Sequence, residues 1–418
     1  MLKKWLLGNV ETANRDGAIW NLIYSMEYSL LSAVLMLIVT RVSGLYDAGI
    51  FMIAYTVTQM MATIGSYGMR SFQVSDVKNQ YSFNTYLASR VVSVTAMVII
   101  CLSYSALQGY DGQRMIIIVL LCAYRLIEDA EDVFHGEMQK NFRLDIASKI
   151  PAVRICVAAI CFTVIFVFTK NLVLASAALT VSAGLVSFVL TCMASGKFEK
   201  ISLKLEWKAV PNLMMECLSL CVGGYLYNYL VNAPKYAIDR NLSEKIQTIF
   251  NILFMPIFAI NMLSSFVFKP LIAKMGMLWY EKKVKELFWL ILQQILIILG
   301  ITVIVLIGGV VIGLDLLGLI YGVSLAGYRT FFAVLIIFGG AAAMGAFLVV
   351  ALTVVRKQGS VIVAYIMATL IVVLVIDSVV VRYGLWGAGI MYGIAMGVVM
   401  LILGTVLAMT LIRGDKNG

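Results

Sequence analysis

Charge is scarce in this chain. Only 13% of its 418 residues are Asp, Glu, Lys or Arg, about half the share of a soluble domain. With 62% hydrophobic residues beside them, a water-soluble core is excluded. Proline occurs five times, which suits long helices better than the alternating strands of a membrane barrel. The single histidine, His135, and seven cysteines without zinc-ligand or CxxC spacing give no metal site. The cysteines all fall in apolar stretches and are read as reduced packing residues. There is no Walker A loop, HExxH, GxSxG or dinucleotide fingerprint, so neither catalytic residues nor a cofactor are expected. No connection exceeds about 20 residues, which leaves no room for a soluble catalytic domain.

What is present is a succession of apolar runs, each long enough to cross a hydrocarbon core of about 30 Å. Twelve spans are predicted, near 18–40, 46–68, 87–108, 114–134, 150–169, 172–193, 213–234, 246–268, 287–312, 329–354, 360–381 and 386–411. The fold class is an all-α polytopic membrane protein. The basic start MLKKWLLGNV has too short an apolar run for a cleavable signal and is expected on the inner membrane surface.

Orientation follows from the basic residues. Of the 32 Lys and Arg, 23 fall on one set of connections, and eight (Arg41, Arg114, Lys170, Lys235, Arg240, Lys245, Arg329, Arg382) on the other, with Arg125 inside a span. The positive-inside rule therefore puts both termini in the cytoplasm. It also explains the net charge of +10 without nucleic acid as a partner. The polar connection GKFEKISLKLEWKAVPN divides the chain into two six-helix lobes, 1–200 and 201–418. Parallel six-span repeats are an arrangement of alternating-access transporters. Gly389, Gly393 and Gly397 form a small-residue stripe on the last span, suited to close helix packing, and Pro256 should kink span eight.

The most informative stretch is YRLIEDAEDVFHGEMQKNFRLD. On a helix, Arg125, Glu128, Asp129 and Asp132 share a face, with Arg125 and Asp129 spaced to pair. Five charges, these four and Glu131, would cost on the order of 12 to 17 kcal/mol facing lipid. Two readings remain: a polar cavity wall for substrate or coupling ion, or a helix projecting past the headgroups with Glu131 to His135 in the cytosol. His135 is read as a solvated interface residue. Glu27, ten residues into span one, is a lone acid at membrane depth, suited to carry a proton or cation or to make a structural hydrogen bond. Asn228 and Asn232 lie a turn apart with Lys235 and Arg240 beyond, a set suited to sugar hydroxyls and phosphate; asparagines also serve as interhelical glue.

EDAEDVFHGEMQKNFRLDIASK, with Gly136 and Gln139 in a Gly-x-x-Gln loop, resembles the acidic end of helix four in the polysaccharide flippase branch of the multidrug, oligosaccharidyl-lipid and polysaccharide exporter superfamily. NAPKYAIDR and the following IFNILFMPIFAINMLSSFVFKPLIAKM resemble that branch's Pro-Lys-Tyr hairpin and helix eight. The resemblance implies a multi-pass protein of a bacterial cytoplasmic membrane that moves an undecaprenyl-pyrophosphate-linked oligosaccharide to the outer leaflet. Its implied partners are that lipid-linked oligosaccharide, membrane lipids, a coupling proton or sodium, and glycan polymerases and glycosyltransferases. Arg125, Lys235 and Arg70 are the candidate cations for the pyrophosphate, but Arg70 and Lys235 fall near opposite mouths and equally suit interface anchors, so that only Arg125 is expected deep, with acids around it. The alternatives are a cation-coupled multidrug exporter using Glu27 and Asp129, and a membrane glycan polymerase or ligase, which the short outer connections disfavour.

Overall fold

The computed structural model describes residues 2–76, 80–110, 112–196, 198, 205–268, 271–357 and 359–416, and among these it is helical throughout. Lys78, Lys197, Lys200, Lys204 and Lys269, all counted above as inner charges, and much of the connection between the lobes lie outside the described residues. The chain forms two compact units, Met1–Tyr225 and Leu226–Gly418.

The first unit contains α1 (Leu2–Leu7), α2 (Ala13–Ser43), α3 (Leu45–Ser66), α4 (Met69–Ser75), α5 (Phe83–Leu107), α6 (Gly112–Lys140), α7 (Leu144–Thr169), α8 (Leu172–Ser195) and the start of α9 (Val210–Asn241). Local chemistry sets the ends. Gly44, at φ 93, is the single residue between α2 and α3, a conformation that costs a Cβ-bearing residue energy. Ser82 and Asn171 cap α5 and α8 by accepting backbone N–H bonds from the first turn. α6 packs against α3, α4, α5, α7 and α8, so its polar face meets protein.

The basic start of the chain is docked. Leu6 and Leu7 are buried in a cluster with Met138, Ile146, Ile150 and Leu190, while Lys3 and Lys4 stay exposed. Lys149 lies over the rings of Trp5 and Trp20, and Arg143 donates to the carbonyl of Leu7.

The second unit contains the rest of α9, then α10 (Glu244–Leu253), α11 (Met255–Phe268), α12 (Ile272–Tyr280), α13 (Val284–Gly308), α14 (Leu314–Tyr321), α15 (Arg329–Val354) and α16 (Gly359–Lys416). A π-helical turn, Gly309–Gly313, joins α13 to α14. Pro256 acts as expected: α10 stops at Leu253, and α11 restarts with the proline in its first turn, where its missing N–H costs nothing. α16 contains two spans broken at Gly384, whose φ 57 and ψ −133 are not helical. On the glycine stripe, a Cβ at Gly389 would lie 2.6 Å from the ring of Phe331 and one at Gly393 2.5 Å from Phe338. Both aromatic residues belong to α15, so these two glycines serve packing within the chain; Gly397 has open space beside it.

Among the described residues, nine helical segments are long and apolar enough to cross a membrane. The last of them holds two spans, and α6 and α9, with 29 and 32 residues, are long enough but more polar. The total is the twelve expected.

Candidate functional site

Three acids of α6, Glu128, Glu131 and Asp132, are neutralised by arginines from four helices. Arg125, one turn earlier on α6, donates to Glu128 and stacks over the rings of Tyr55 and Tyr124, 4.7 and 5.4 Å from their centroids. Arg154 of α7 donates to Glu131 at 2.7 Å and to Glu128 at 2.9 Å. It stacks on the same Tyr124 at 5.3 Å, and Ser187 of α8 also donates to Glu131. Asp132 accepts from Arg90 of α5 at 2.9 Å and from Arg70 of α4 at 3.1 Å. Arg90 continues to the carbonyls of Gly65 and Ser66 at the end of α3, and Arg70 to the side chain of Gln139.

Buried ion pairs hold only when geometry and extra hydrogen bonds offset desolvation. Here each guanidinium spans two helices, two acceptors or an aromatic face, which ties five helices around α6, although Arg90 Nε, Arg125 Nη2 and Arg154 Nη1 are buried without a hydrogen-bond partner among the described residues.

Asp129 stands apart. It is 5% exposed, and its Oδ2 has no hydrogen-bond partner among the described residues. It presses on bare backbone: a Cβ at Gly65 would sit 2.1 Å from that oxygen. The expected pair between Arg125 and Asp129 is therefore not formed. The guanidinium turns to the i+3 acid, Glu128, where two tyrosine rings also cover it.

Three further expectations change. Glu131, His135 and Glu137 are 5%, 2% and 4% exposed, so the end of α6 is not laid open to solvent; α4, α7 and α8 cover it. His135 is buried, not solvated. Arg125 is also not the only deep cation, because Arg90 and Arg154, counted with the inner connections, are 2% and 0% exposed. The available signal was an arginine set within a largely apolar run, as in ASRVVSV and AVRICVA.

Glu27 lies on α2, where its Oε1 accepts a hydrogen bond from Cys156 at 3.2 Å and its Oε2 has no partner among the described residues. Cys156 is thus more than packing. One residue on, the Tyr28 hydroxyl accepts from Gln59 at 2.7 Å. Outside the spans, Asp76 fastens the α4–α5 connection by accepting from the Gln80 and Tyr81 amides and the Tyr86 hydroxyl. Burial pushes its carboxyl up, but these bonds and nearby Lys140 outweigh that and hold it below the usual range.

The remaining candidates lie in the second unit. The stretch expected as a hairpin is helical, since α9 runs through Pro234 to Asn241. Lys235 is 5% exposed, and its Nζ lies 5.3 and 5.7 Å from the ring centroids of Phe254 and Phe258. Among the described residues it has no ion pair. Asn232 donates to the carbonyl of Asn228 at 3.0 Å, a bond within α9 and not between helices. Arg240 makes a two-pronged pair with Asp377 at 2.8 and 3.0 Å, joined by Asn241. The structure thus gathers Arg70, Arg125, Glu128, Asp129 and Asp132 around α6, and sets Asn228, Asn232, Lys235 and Arg240 along α9. Among the described residues, no cluster of His, Cys, Asp and Glu has the form of a metal site.

Neither a protein-family profile nor a curated protein matches the chain. Its likeness to solved structures is at the level of fold. An inward-facing multidrug resistance MATE family transporter of the MOP superfamily superposes with TM-score 0.61 at 14% identity, over 93% of this chain and 96% of that one. An outward-facing one gives 0.58 at 15%, over 100% and 99%. A MOP superfamily transporter from Pyrococcus furiosus, described by a reversed polarity of its binding pocket, gives 0.55 at 14%, over 99% and 98%. The chain has the fold of these twelve-helix membrane transporters.

Proposed function

We propose that the chain is an alternating-access transporter that moves an undecaprenyl-pyrophosphate-linked oligosaccharide from the inner to the outer leaflet of a bacterial cytoplasmic membrane, for surface polysaccharide export. One observation carries this reading. The acids Glu128, Glu131 and Asp132 are each bound by arginine, whereas Lys235 is a buried cation with no acid partner among the described residues, one turn from Asn232 and two from Asn228. A lipid-linked pyrophosphate supplies the missing negative charge, and the amides suit its sugar hydroxyls. The resemblance of helix four and of the NAPKYAIDR stretch to the flippase branch supports the same substrate. On this reading glycosyltransferases supply the lipid-linked unit and a polymerase consumes it. The neighbours in fold are transporters, which supports a non-enzymatic role.

A second reading has its own support. Two of the structural neighbours are described as multidrug resistance transporters, and Asp129 and Glu27 each leave a carboxylate oxygen without a partner among the described residues. A cation-coupled multidrug exporter, driven by proton or sodium, fits both facts.

Proteoliposomes separate the two. With a fluorescent polyprenyl-pyrophosphate oligosaccharide in one leaflet, the flippase reading expects protein-dependent transfer to the other, lost in Lys235→Met. Absence of transfer, together with uptake of a lipophilic dye cation driven by a proton or sodium gradient and lost in Asp129→Asn, would establish the second reading.

A further inference from the structure

Away from both candidate sites, the second unit has a groove with a distinctive charge pattern. It is a cavity of about 370 Å³ lined by Arg356, Lys357, Ser360, Val363, Ile402 and Val406, among others, a volume typical of small-ligand sites. Two cations stand at its mouth, and its walls are aliphatic residues from both ends of α16. No acid lines it, and neither cation has an ion pair among the described residues. The backbone at the mouth is already satisfied: Arg356 N–H bonds the Thr353 carbonyl, and Lys357 N–H that of Leu352. The two side chains are exposed and available to a ligand.

Depth identifies the ligand. The connection between α15 and α16 is an inner one by the positive-inside count, so the cations lie at the cytoplasmic headgroup level and the aliphatic wall below them faces acyl chains. We propose that this groove binds an anionic phospholipid of the inner leaflet, its phosphate held by Arg356 and Lys357 and its upper acyl chain lying along Val363, Ile402 and Val406. Basic pockets between transmembrane helices at the cytoplasmic side favour such headgroups. A second, smaller cavity of about 240 Å³ is walled by Leu411 and Ile412 of the same α16 end, with Phe288, Trp289 and one cation, Lys285. Nearby Lys283 is already paired with Glu281 at 2.8 Å. With one free cation in place of two, this cavity is the weaker of the pair and serves as an internal control.

The test compares the full chain in nanodiscs of phosphatidylcholine with and without phosphatidylglycerol, using native mass spectrometry to read the lipids retained on release. The wild type should retain phosphatidylglycerol over phosphatidylcholine. The double variant Arg356→Ala, Lys357→Ala should lose that preference by about tenfold, Lys285→Ala by less, and Lys245→Ala not at all. Thermal melting in pure phosphatidylcholine shows whether each variant folds. Equal phosphatidylglycerol retention by a folded double variant would overturn the proposal. So would thermal stabilisation by inorganic phosphate in pure phosphatidylcholine as large as that by phosphatidylglycerol, because the groove would then be a free-phosphate site.

Discussion

The two units treat buried charge in opposite ways. In the first, four arginines and the acids of α6 form a network in which most charges have a partner, and the helices carrying them are fixed to one another. In the second, Lys235 is buried against two phenylalanines with no acid partner among the described residues, and the pairs that do form there, Arg240 with Asp377, Lys283 with Glu281 and Arg329 with Asp315, reach solvent. A paired network contributes to architecture. A lone buried charge costs stability in the resting protein and gains a partner only when something binds, which makes it the better marker of a ligand.

The sharpest test of this contrast is Arg154→Ala. It leaves Glu131 with only the Ser187 hydroxyl and Glu128 with only Arg125, so a stability loss of about 3–5 kcal/mol is expected, read as a fall in melting temperature in detergent; an unchanged melt would show that the network is not structural. Gly65→Ala comes next. Its Cβ would collide with Asp129, at a cost of about 1–3 kcal/mol, and Asp129→Asn in the same chain should not relieve it, because the collision is steric. Third, Asp76→Asn should cost about 1 kcal/mol at neutral pH. Because the folded carboxyl lies below its unfolded value of about 3.9, this contribution is complete above that pH and disappears as pH falls through the folded value. The melting difference from wild type should therefore shrink in acid. The smallest stability effect belongs to Lys235→Met, which is expected to melt within about 1 kcal/mol of wild type or higher while losing transfer of the lipid-linked substrate. A large destabilisation there would erase the distinction between the units.

Much of the fold was legible in the sequence because membrane insertion depends on properties that a linear chain displays. Span length and apolar runs located most helix ends to within about five residues, while α6, α7 and α9 run six or seven residues further at one end, and Pro256 and the glycine stripe announced the break in span eight and the close approach of α15. The site was less legible for a definite reason. Helical spacing reports which residues share a face on one helix, and so proposed Arg125 with Asp129. It does not report which side chain a neighbouring helix delivers, and Arg154 and Arg90 arrive from α7 and α5. The loop-by-loop charge count likewise assigned those two arginines to the membrane edge because they lie near span ends. The hairpin expected at the NAPKY stretch came from its resemblance to the flippase branch, and α9 instead carries Pro234 within a continuous helix.

The position of α6 also bears on how the protein is made. The chain is delivered N-terminus first, so Arg70, Arg90 and Arg125 are in place when the acids from Glu128 to Asp132 emerge, but Arg154 and Ser187 are not. Until α7 and α8 arrive, Glu131 has neither of the partners it has in the folded unit, and α6 alone is too polar to settle stably in lipid. Its commitment to the bilayer therefore belongs to assembly and not to hydropathy: the first lobe is completed as a group of helices, with α6 secured by helices synthesised after it.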